Sequence, residues 1–230
     1  MKEQELKNAF KAAFPTTIPV LTGFLTLGIA YGILMETKGY NFLWSGLMSA
    51  VCFCGSMQFA AITMLTTAFD PVGAFLLSIL VNARHLFYGL SFLEKYKGMG
   101  KIKFILIYLL CDETFSIVSV REPSEDINRK YYYFFISVLN YIYWVMGTVM
   151  GGLAGGLITF NTKGLDFALT ALFVVLFAEQ MKDKKNYILG FIGIACTVVS
   201  RLVFGADNLV IPAMVMILCI LVAGRKKLCR

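Results

Sequence analysis

The stretch FLWSGLMSAVCFCGSMQFAAITML, residues 42–65, runs for 24 positions without a charged residue. A helix rises about 1.5 Å per residue and the hydrocarbon core of a bilayer is about 30 Å thick, so about 20 apolar residues can cross it. The stretch is therefore long enough to span a membrane. Gly55-Ser56 interrupts it near the middle and predicts a broken helix there.

The rest of the chain has the same character. Of its 230 residues, 58% are hydrophobic and 15% charged, and the mean hydropathy is +0.74. Soluble domains carry about 25% charged residues. We therefore predict an all-α, polytopic integral membrane helix bundle in the cell (plasma) membrane, with one transmembrane domain over residues 1–230. About seven or eight hydrophobic segments are expected, at residues 18–35, 42–65, 71–92, 102–120, 132–158, 165–179, 187–204 and 209–224.

The N-terminal segment, residues 1–14, has a different pattern. Leu6, Phe10 and Phe14 share one helical face, and Lys7 and Lys11 lie away from it. This pattern predicts a short amphipathic helix lying in the membrane interface.

The net charge of +7 comes from basic residues that cluster at segment ends. Lys95, Lys97, Lys101 and Lys103 are one such cluster. Anionic headgroups and the positive-inside rule account for this distribution, so we expect the lipid bilayer as a partner. The basic residues form no stripe or arm, and we expect no binding of nucleic acid.

The basic loops also bear on topology. The N-terminus, the loop after the third segment, residues 182–185 and the C-terminus should all be cytoplasmic. Three segments lie between the N-terminus and the loop after the third segment, and three more lie between that loop and residues 182–185. A chain that crosses the membrane an odd number of times cannot return to the same side. Either the charge rule fails here, or the second and fourth segments are broken or re-entrant, as transporter helices are where unwound backbone contacts substrate.

Motifs of catalysis are missing from the sequence. There is no Gly-x-Ser-x-Gly elbow, no Walker loop, a single histidine and no C-x-x-C pair among the six cysteines. These elements support nucleophilic, nucleotide-dependent and metal chemistry. We predict that the protein is not an enzyme and has no cofactor and no metal site.

Polar residues at mid-depth in the third segment are informative because a charged side chain at a helix centre costs about 2.5–3.5 kcal/mol on insertion scales. Asn82, Arg84 and His85 lie there. Arg84 is either a structural partner for a buried carboxylate or for unpaired carbonyls, or it contacts a substrate directly. His85 is either a hydrogen-bonding group between helices or a proton carrier.

The fourth segment carries Asp112 and Glu113 near its centre. Neighbouring residues point about 100° apart on a helix, so the two carboxylates find different partners. Asp112 shares a face with Ser116 and Ser119, which predicts that it faces the bundle. A carboxylate here can bind an ammonium group, relay protons or neutralise Arg84, and a purely structural ion pair remains an alternative.

Glycines predict close helix packing. Gly147, Gly151 and Gly155 repeat at every fourth position in the fifth segment, and Gly28 and Gly32 do so in the first. Small residues at this spacing let helix backbones approach each other. There are more of them than eight helices need among themselves, which predicts a partner subunit.

The motifs of the second and third segments resemble those of a known family. Residues 53–59 (FCGSMQF) and 81–88 (VNARHLFY) resemble the F-x-G-S-x-Q-F and N-x-R-H-x-x-Y signature of AzlC-type branched-chain amino-acid permeases. Residues 112–113, 140–148 and 165–168 continue the likeness in order. The resemblance implies a secondary exporter of valine, leucine and isoleucine that works with a small AzlD-type membrane subunit. Cys54 stands where the family often has a small residue such as alanine.

Such a substrate is a zwitterion with an apolar side chain. It needs a cation or helix N-terminus for its carboxylate, a carboxylate or carbonyls for its ammonium group, and an apolar pocket. We expect the substrate-binding residues to be Gly55, Ser56, Gln58, Asn82, Arg84, Asp112 and Asn140. We expect coupling or gating to involve Tyr88, His85, Glu113 and Trp144. Without an ATP-binding motif, energy would come from an ion gradient. The alternative is a membrane sensor or scaffold that binds a ligand without moving it.

Overall fold

The computed structural model describes residues 2–67, 70–157, 187–205 and 209–228, together with Val174, Phe177, Ala178 and Met181. This part of the chain forms helices and no strand. The helices are α1 (Lys2–Thr37), α2 (Phe42–Cys52), α3 (Gly55–Thr66), α4 (Pro71–Phe92), α5 (Ile102–Tyr108), α6 (Asp112–Val120), α7 (Arg129–Leu157), α8 (Tyr187–Phe204) and α9 (Val210–Leu228). The predicted segment at 165–179 lies outside the described residues, apart from Val174, Phe177 and Ala178.

Four described helices are long and apolar enough to cross a membrane: Glu3–Thr37, Pro71–Phe92, Arg129–Leu157 and Tyr187–Phe204. They coincide with the first, third, fifth and seventh predicted segments, and α9 coincides with the eighth. The prediction of an all-α membrane helix bundle is thus confirmed.

The second and fourth segments are each broken into two short helices. The second changes direction at Phe53, whose φ of 38° is in the left-handed region. A break was predicted at Gly55-Ser56, and the structure has it just before, at Phe53-Cys54, so that Gly55 and Ser56 are the first residues of α3. The fourth segment leaves the helix after Tyr108 and resumes at Asp112. That either segment fails to cross the membrane stays a prediction.

The end of α2 is capped by two tyrosines. The Tyr108 hydroxyl lies 2.8 Å from the carbonyl oxygens of both Ala50 and Val51, and the Tyr141 hydroxyl donates to that of Ala50 over 3.0 Å. The last carbonyls of a helix have no amide partner within it. The hydroxyls satisfy these carbonyls, so the chain can leave the helix at Phe53 inside the protein.

Residues 2–14 form no separate helix. The structure continues them into the first span as one helix, α1, which passes through Pro15 and Pro19. Ala9 and Ala13 are fully buried, and the Phe10 ring packs edge-on against Phe135 of α7 at a centroid distance of 5.4 Å. The face that we expected in the interface therefore packs partly on α7.

Helices α1 and α7 touch through their backbones. A Cβ atom on Gly28 would lie 2.9 Å from the Thr148 nitrogen, and one on Gly32 would collide with the Thr148 carbonyl oxygen. A Cβ atom on Gly151 would collide in the same way with the carbonyl oxygen of Ile29. The predicted close packing is confirmed. Because these glycines pack against the same chain, however, they give no reason to expect a partner.

By internal contacts the chain divides into two compact units. One comprises residues 1–69 and 81–160, and the other comprises residues 70–80 and 161–230. Every predicted site residue lies in the first unit.

Candidate functional site

One guanidinium joins the two helix breaks. Arg84 on α4 places Nη1 2.7 Å from Oδ2 of Asp112, and its Nη2 donates to Oγ of Ser56 over 2.6 Å. Asp112 is the first residue of α6, and Ser56 lies in the first turn of α3. Arg84 therefore connects the N-terminal ends of two half-helices, and it brings together Ser56 and Asp112, two of the predicted substrate-binding residues.

The start of α3 is an electropositive corner. The first hydrogen bond of α3 runs from the Gln58 amide to the Cys54 carbonyl, so the amides before it have no helical acceptor. These amides carry the positive end of the helix dipole. The Arg84 guanidinium adds a full charge beside them, and a carboxylate is the ligand that such a corner favours.

Two further predicted residues line this corner. The Cys54 thiol donates to Oδ1 of Asn82 over 3.1 Å, which ties α4 to the residue that caps α3. A Cβ atom on Gly55 would lie 3.0 Å from the Trp144 ring. Since a side chain at residue 55 would meet that ring, glycine lets the start of α3 lie against Trp144.

Gln58 and Trp144 brace the break instead of reaching Arg84. The Trp144 indole nitrogen donates to Oε1 of Gln58, and Nε2 of Gln58 donates to Oγ of Ser49, both over 2.8 Å. All three side chains are buried. The bonds run from α7 through α3 to α2, so they hold the two halves of the broken segment together.

Asn140 lies on another side of α6. Its Nδ2 donates to Oγ1 of Thr114 over 2.9 Å, and the Thr114 hydroxyl lies 3.2 Å from the Cys111 sulfur. Thr114 follows Asp112 by two residues, about 200° around a helix. Asn140 therefore contacts the face turned away from Arg84. Glu113 lies beside the Cys111 thiol, next to this second group.

An aromatic stack adjoins the ion pair. Tyr88 is one turn beyond Arg84 on α4, and Phe115 is nearly one turn beyond Asp112 on α6. Their rings stack at a centroid distance of 4.2 Å, and His85 packs against Tyr88 at 5.6 Å. Sequence reasoning missed Phe115, although its spacing of three residues from Asp112 was a usable signal.

The site keeps unused bonding capacity. Arg84 Nε, His85 Nδ1 and Asp112 Oδ1 are buried atoms that make no hydrogen bond in the described part of the chain. The Arg84 and Asp112 side chains as a whole remain 40% and 37% exposed, so a ligand can reach them. Unpaired buried polar atoms are costly, and a polar ligand would satisfy them.

The chain is similar to known membrane proteins over nearly its full length. The branched-chain amino acid transport protein AzlC of Bacillus subtilis is 46% identical over 228 residues, which cover 99% of this chain and 89% of that protein. An uncharacterized membrane protein of Haemophilus influenzae is 39% identical over 97% of this chain and 92% of its own length. The inner membrane protein YgaZ of Escherichia coli is 25% identical over 74% and 72%. No solved structure matches the chain.

The AzlC protein family itself matches residues 19–158. This range contains both broken segments, Arg84 and the partners of Arg84 at the two breaks. The breaks and the guanidinium between them thus lie in the part of the sequence that defines the family, and this chain belongs to the AzlC family of membrane proteins.

Proposed function

We propose that this protein transports branched-chain amino acids, namely valine, leucine and isoleucine, and exports them across the cell membrane. The observation that carries the proposal is the position of Arg84 between the starts of α3 and α6. One cation, two helix N-termini and one carboxylate meet there. The transport function in the name of the Bacillus subtilis relative supports the same conclusion.

The zwitterion matches these groups one by one. Its carboxylate would bind the amides at the start of α3, which have no acceptor within the helix, together with Arg84, because both offer donors and positive charge. Its ammonium group would bind Asp112, whose Oδ1 has no partner in the described part of the chain. Its branched side chain would lie against the stacked rings of Tyr88 and Phe115. Binding would replace the Arg84–Asp112 pair with two pairs to the substrate.

Three further properties belong to the proposal. The sequence has no ATP-binding motif, so an ion gradient would drive export. A small AzlD-type membrane subunit would assemble with the chain, as the family resemblance implies. The protein would act as a transporter and not as an enzyme, because the groups at the site match the two charges of an amino acid.

Efflux from loaded cells tests the proposal. Cells are loaded with a valine dipeptide, which intracellular peptidases hydrolyse, and the valine leaving the cells is measured with and without the protein. The small subunit is co-expressed in both cases. We expect faster efflux with the protein, and equal efflux would contradict the proposal.

The competing function is a sensor or scaffold that binds a ligand without moving it. It is favoured by the Arg84–Asp112 ion pair, because an Nη1–Oδ2 distance of 2.7 Å is also what a purely structural pair would have. Proteoliposomes distinguish the two functions. A sensor binds valine but shows no counterflow of labelled valine, whereas a transporter shows both.

A further inference from the structure

The start of α6, on the side that Asn140 of α7 contacts, holds a second polar group that the proposed substrate site does not use. It comprises Cys111, Glu113 and Thr114 at the start of α6 and Asn140 on α7. Thr114 and Asn140 are fully buried, and Cys111 is 8% exposed. Thr114, Asn140 and Cys111 therefore lie inside the first unit of the protein, and Glu113 beside them is partly buried.

Asn140 carries the first argument. Its amide nitrogen is occupied by Thr114, but its Oδ1 makes no hydrogen bond in the described part of the chain. A buried acceptor without a partner costs about 1–3 kcal/mol. The atom is fully enclosed and belongs to a side chain that is bonded to the first turn of α6. A positively charged ligand at that turn would satisfy it.

Glu113 carries the second argument. The charged and titratable groups around it are Asp112 and the Cys111 thiol from its own segment and Arg84 and Tyr88 from α4. From α7, the neutral Asn140 bonds to the adjacent residue, Thr114. Arg84 already pairs with Asp112, and Glu113 forms no salt bridge in the described ranges. The cluster therefore has two carboxylates and one cation. A carboxylate in such surroundings needs a proton or a cation.

The broken backbone adds further acceptors. Between α5 and α6 the chain leaves regular helical hydrogen bonding. Two of the last four carbonyls of α5 still accept from the amides of Leu109 and Leu110. The carbonyls of Leu106 and Tyr108 receive no backbone amide in the described part of the chain. The residues there are buried, with exposed fractions of 0% for Leu106, 5% for Leu109 and 6% for Leu110. Unwound carbonyls of this kind bind coupling ions in transporters with broken helices.

We propose that this face of α6 binds one monovalent cation, Na⁺ or a proton, between the Glu113 carboxylate and the Asn140 amide oxygen. Na⁺ would be bound by both oxygens and by the Thr114 hydroxyl. A proton would sit on Glu113 and be donated to Asn140. In either case the cation neutralises the second carboxylate of the cluster. Substrate and driving ion would then be bound by adjacent carboxylates that point in different directions from one short helix.

This inference rests on the proposed transport function. It predicts that loss of the cation site affects two transport activities differently. Exchange of valine for valine needs only the substrate site, whereas net transport needs the ion. In membrane vesicles that contain the full chain and its small subunit, we expect Glu113→Gln and Asn140→Leu to reduce gradient-driven valine transport at least tenfold. Valine counterflow should stay within about threefold of the unmodified protein. Ser116→Ala, an exposed position on α6, should leave both activities unchanged.

Two transport experiments determine whether the cation is Na⁺ or a proton. One applies a Na⁺ gradient at equal pH, and the other applies a pH gradient without Na⁺. Thermal melting measures cation binding directly, so it does not depend on transport by the variants. If Na⁺ is the ligand, the unmodified protein should melt at a higher temperature in NaCl than in choline chloride at equal ionic strength. Glu113→Gln should melt at the same temperature in both salts.

Three results would overturn the inference. Loss of counterflow together with gradient-driven transport in Glu113→Gln, while the variant is still inserted, would place Glu113 in the substrate site. Full gradient-driven transport by both variants, or indifference of the unmodified protein to both gradients, would remove the cation site. Absence of counterflow from the unmodified protein would refute the proposed transport function itself.

Discussion

At the residue scale, Arg84 and Asp112 support the proposal most directly. We expect Arg84→Ala and Asp112→Asn each to abolish valine export while leaving insertion intact, because each removes the group that would bind one charge of the substrate. The loss of stability should be well below the about 3–5 kcal/mol of a fully buried pair, since both side chains remain partly exposed. Efflux, expression level and thermal stability of each variant measure this.

The double variant tells a binding role from a structural one. If the pair binds the substrate, the doubly neutral protein should fold yet stay inactive. Recovery of both folding and export would mean that the pair is only structural. Leu86→Ala serves as control, because Leu86 is 77% exposed on the same helix and should tolerate the change. Normal export by either single variant would exclude that residue from the site.

A second prediction concerns the brace across the α2–α3 break. Trp144→Phe keeps an aromatic ring beside Gly55 but leaves Oε1 of Gln58 buried without its donor. This should cost about 1–3 kcal/mol of unfolding free energy. The protein has a second tryptophan, Trp44, which is 54% exposed, so Trp44→Phe should change stability by less than about 0.5 kcal/mol. Equal melting temperatures for the two variants would show that the indole bond does not stabilise the break.

Sequence reasoning could identify residues of the site but not all of their partners. The sequence identified Arg84 and Asp112 because a charged side chain in the middle of a membrane segment is costly to insert and is retained only with a partner or a function. Trp144 and Gln58 were placed in the site, but their bond joins positions 86 residues apart, and no local pattern reveals such a contact. Asn140 was grouped with the substrate residues, whereas the structure bonds it to Thr114 on another face of α6.

At the element scale, apolar length predicted the helices, and polar interruptions predicted the two breaks. Which face of α6 is buried was harder to predict. We expected Asp112 to share an inward face with Ser116 and Ser119, yet both serines are exposed and the buried positions are Thr114 and Val118. A helix of nine residues is too short for periodicity to fix its orientation. Contacts with α4 and α7 decide it instead.

The third prediction concerns the pairing of α1 with α7. Gly32→Ala should reduce folded yield and lower the melting temperature, because the new methyl group would strike the Thr148 carbonyl and overpacking costs about 1–3 kcal/mol. Gly23→Ala on the same helix is the matched control, since nothing lies within 4 Å of its Cβ position. Similar melting temperatures for both variants would show that the two helices can separate at little cost.

At the scale of the whole molecule, the partner subunit now rests on the family resemblance alone, because the glycines pack within the chain. We predict that the chain purified by itself moves valine in liposomes much more slowly than the chain purified with its small subunit. Counterflow measured at equal amounts of the large chain tests this. A full rate from the single chain would show that the subunit is not needed for transport.

The backbone contact between α1 and α7 also limits how the protein can change shape. Where glycines of both helices meet, the backbones leave no room for a side chain between them, so neither helix can slide or roll along the other without first moving apart. The pair should therefore behave as a static frame during a transport cycle. The moving parts would be the half-helices α3 and α6, which are short and are joined to the rest at their breaks. A covalent link between α1 and α7 would then leave turnover intact, whereas one between α3 and α6 would stop it.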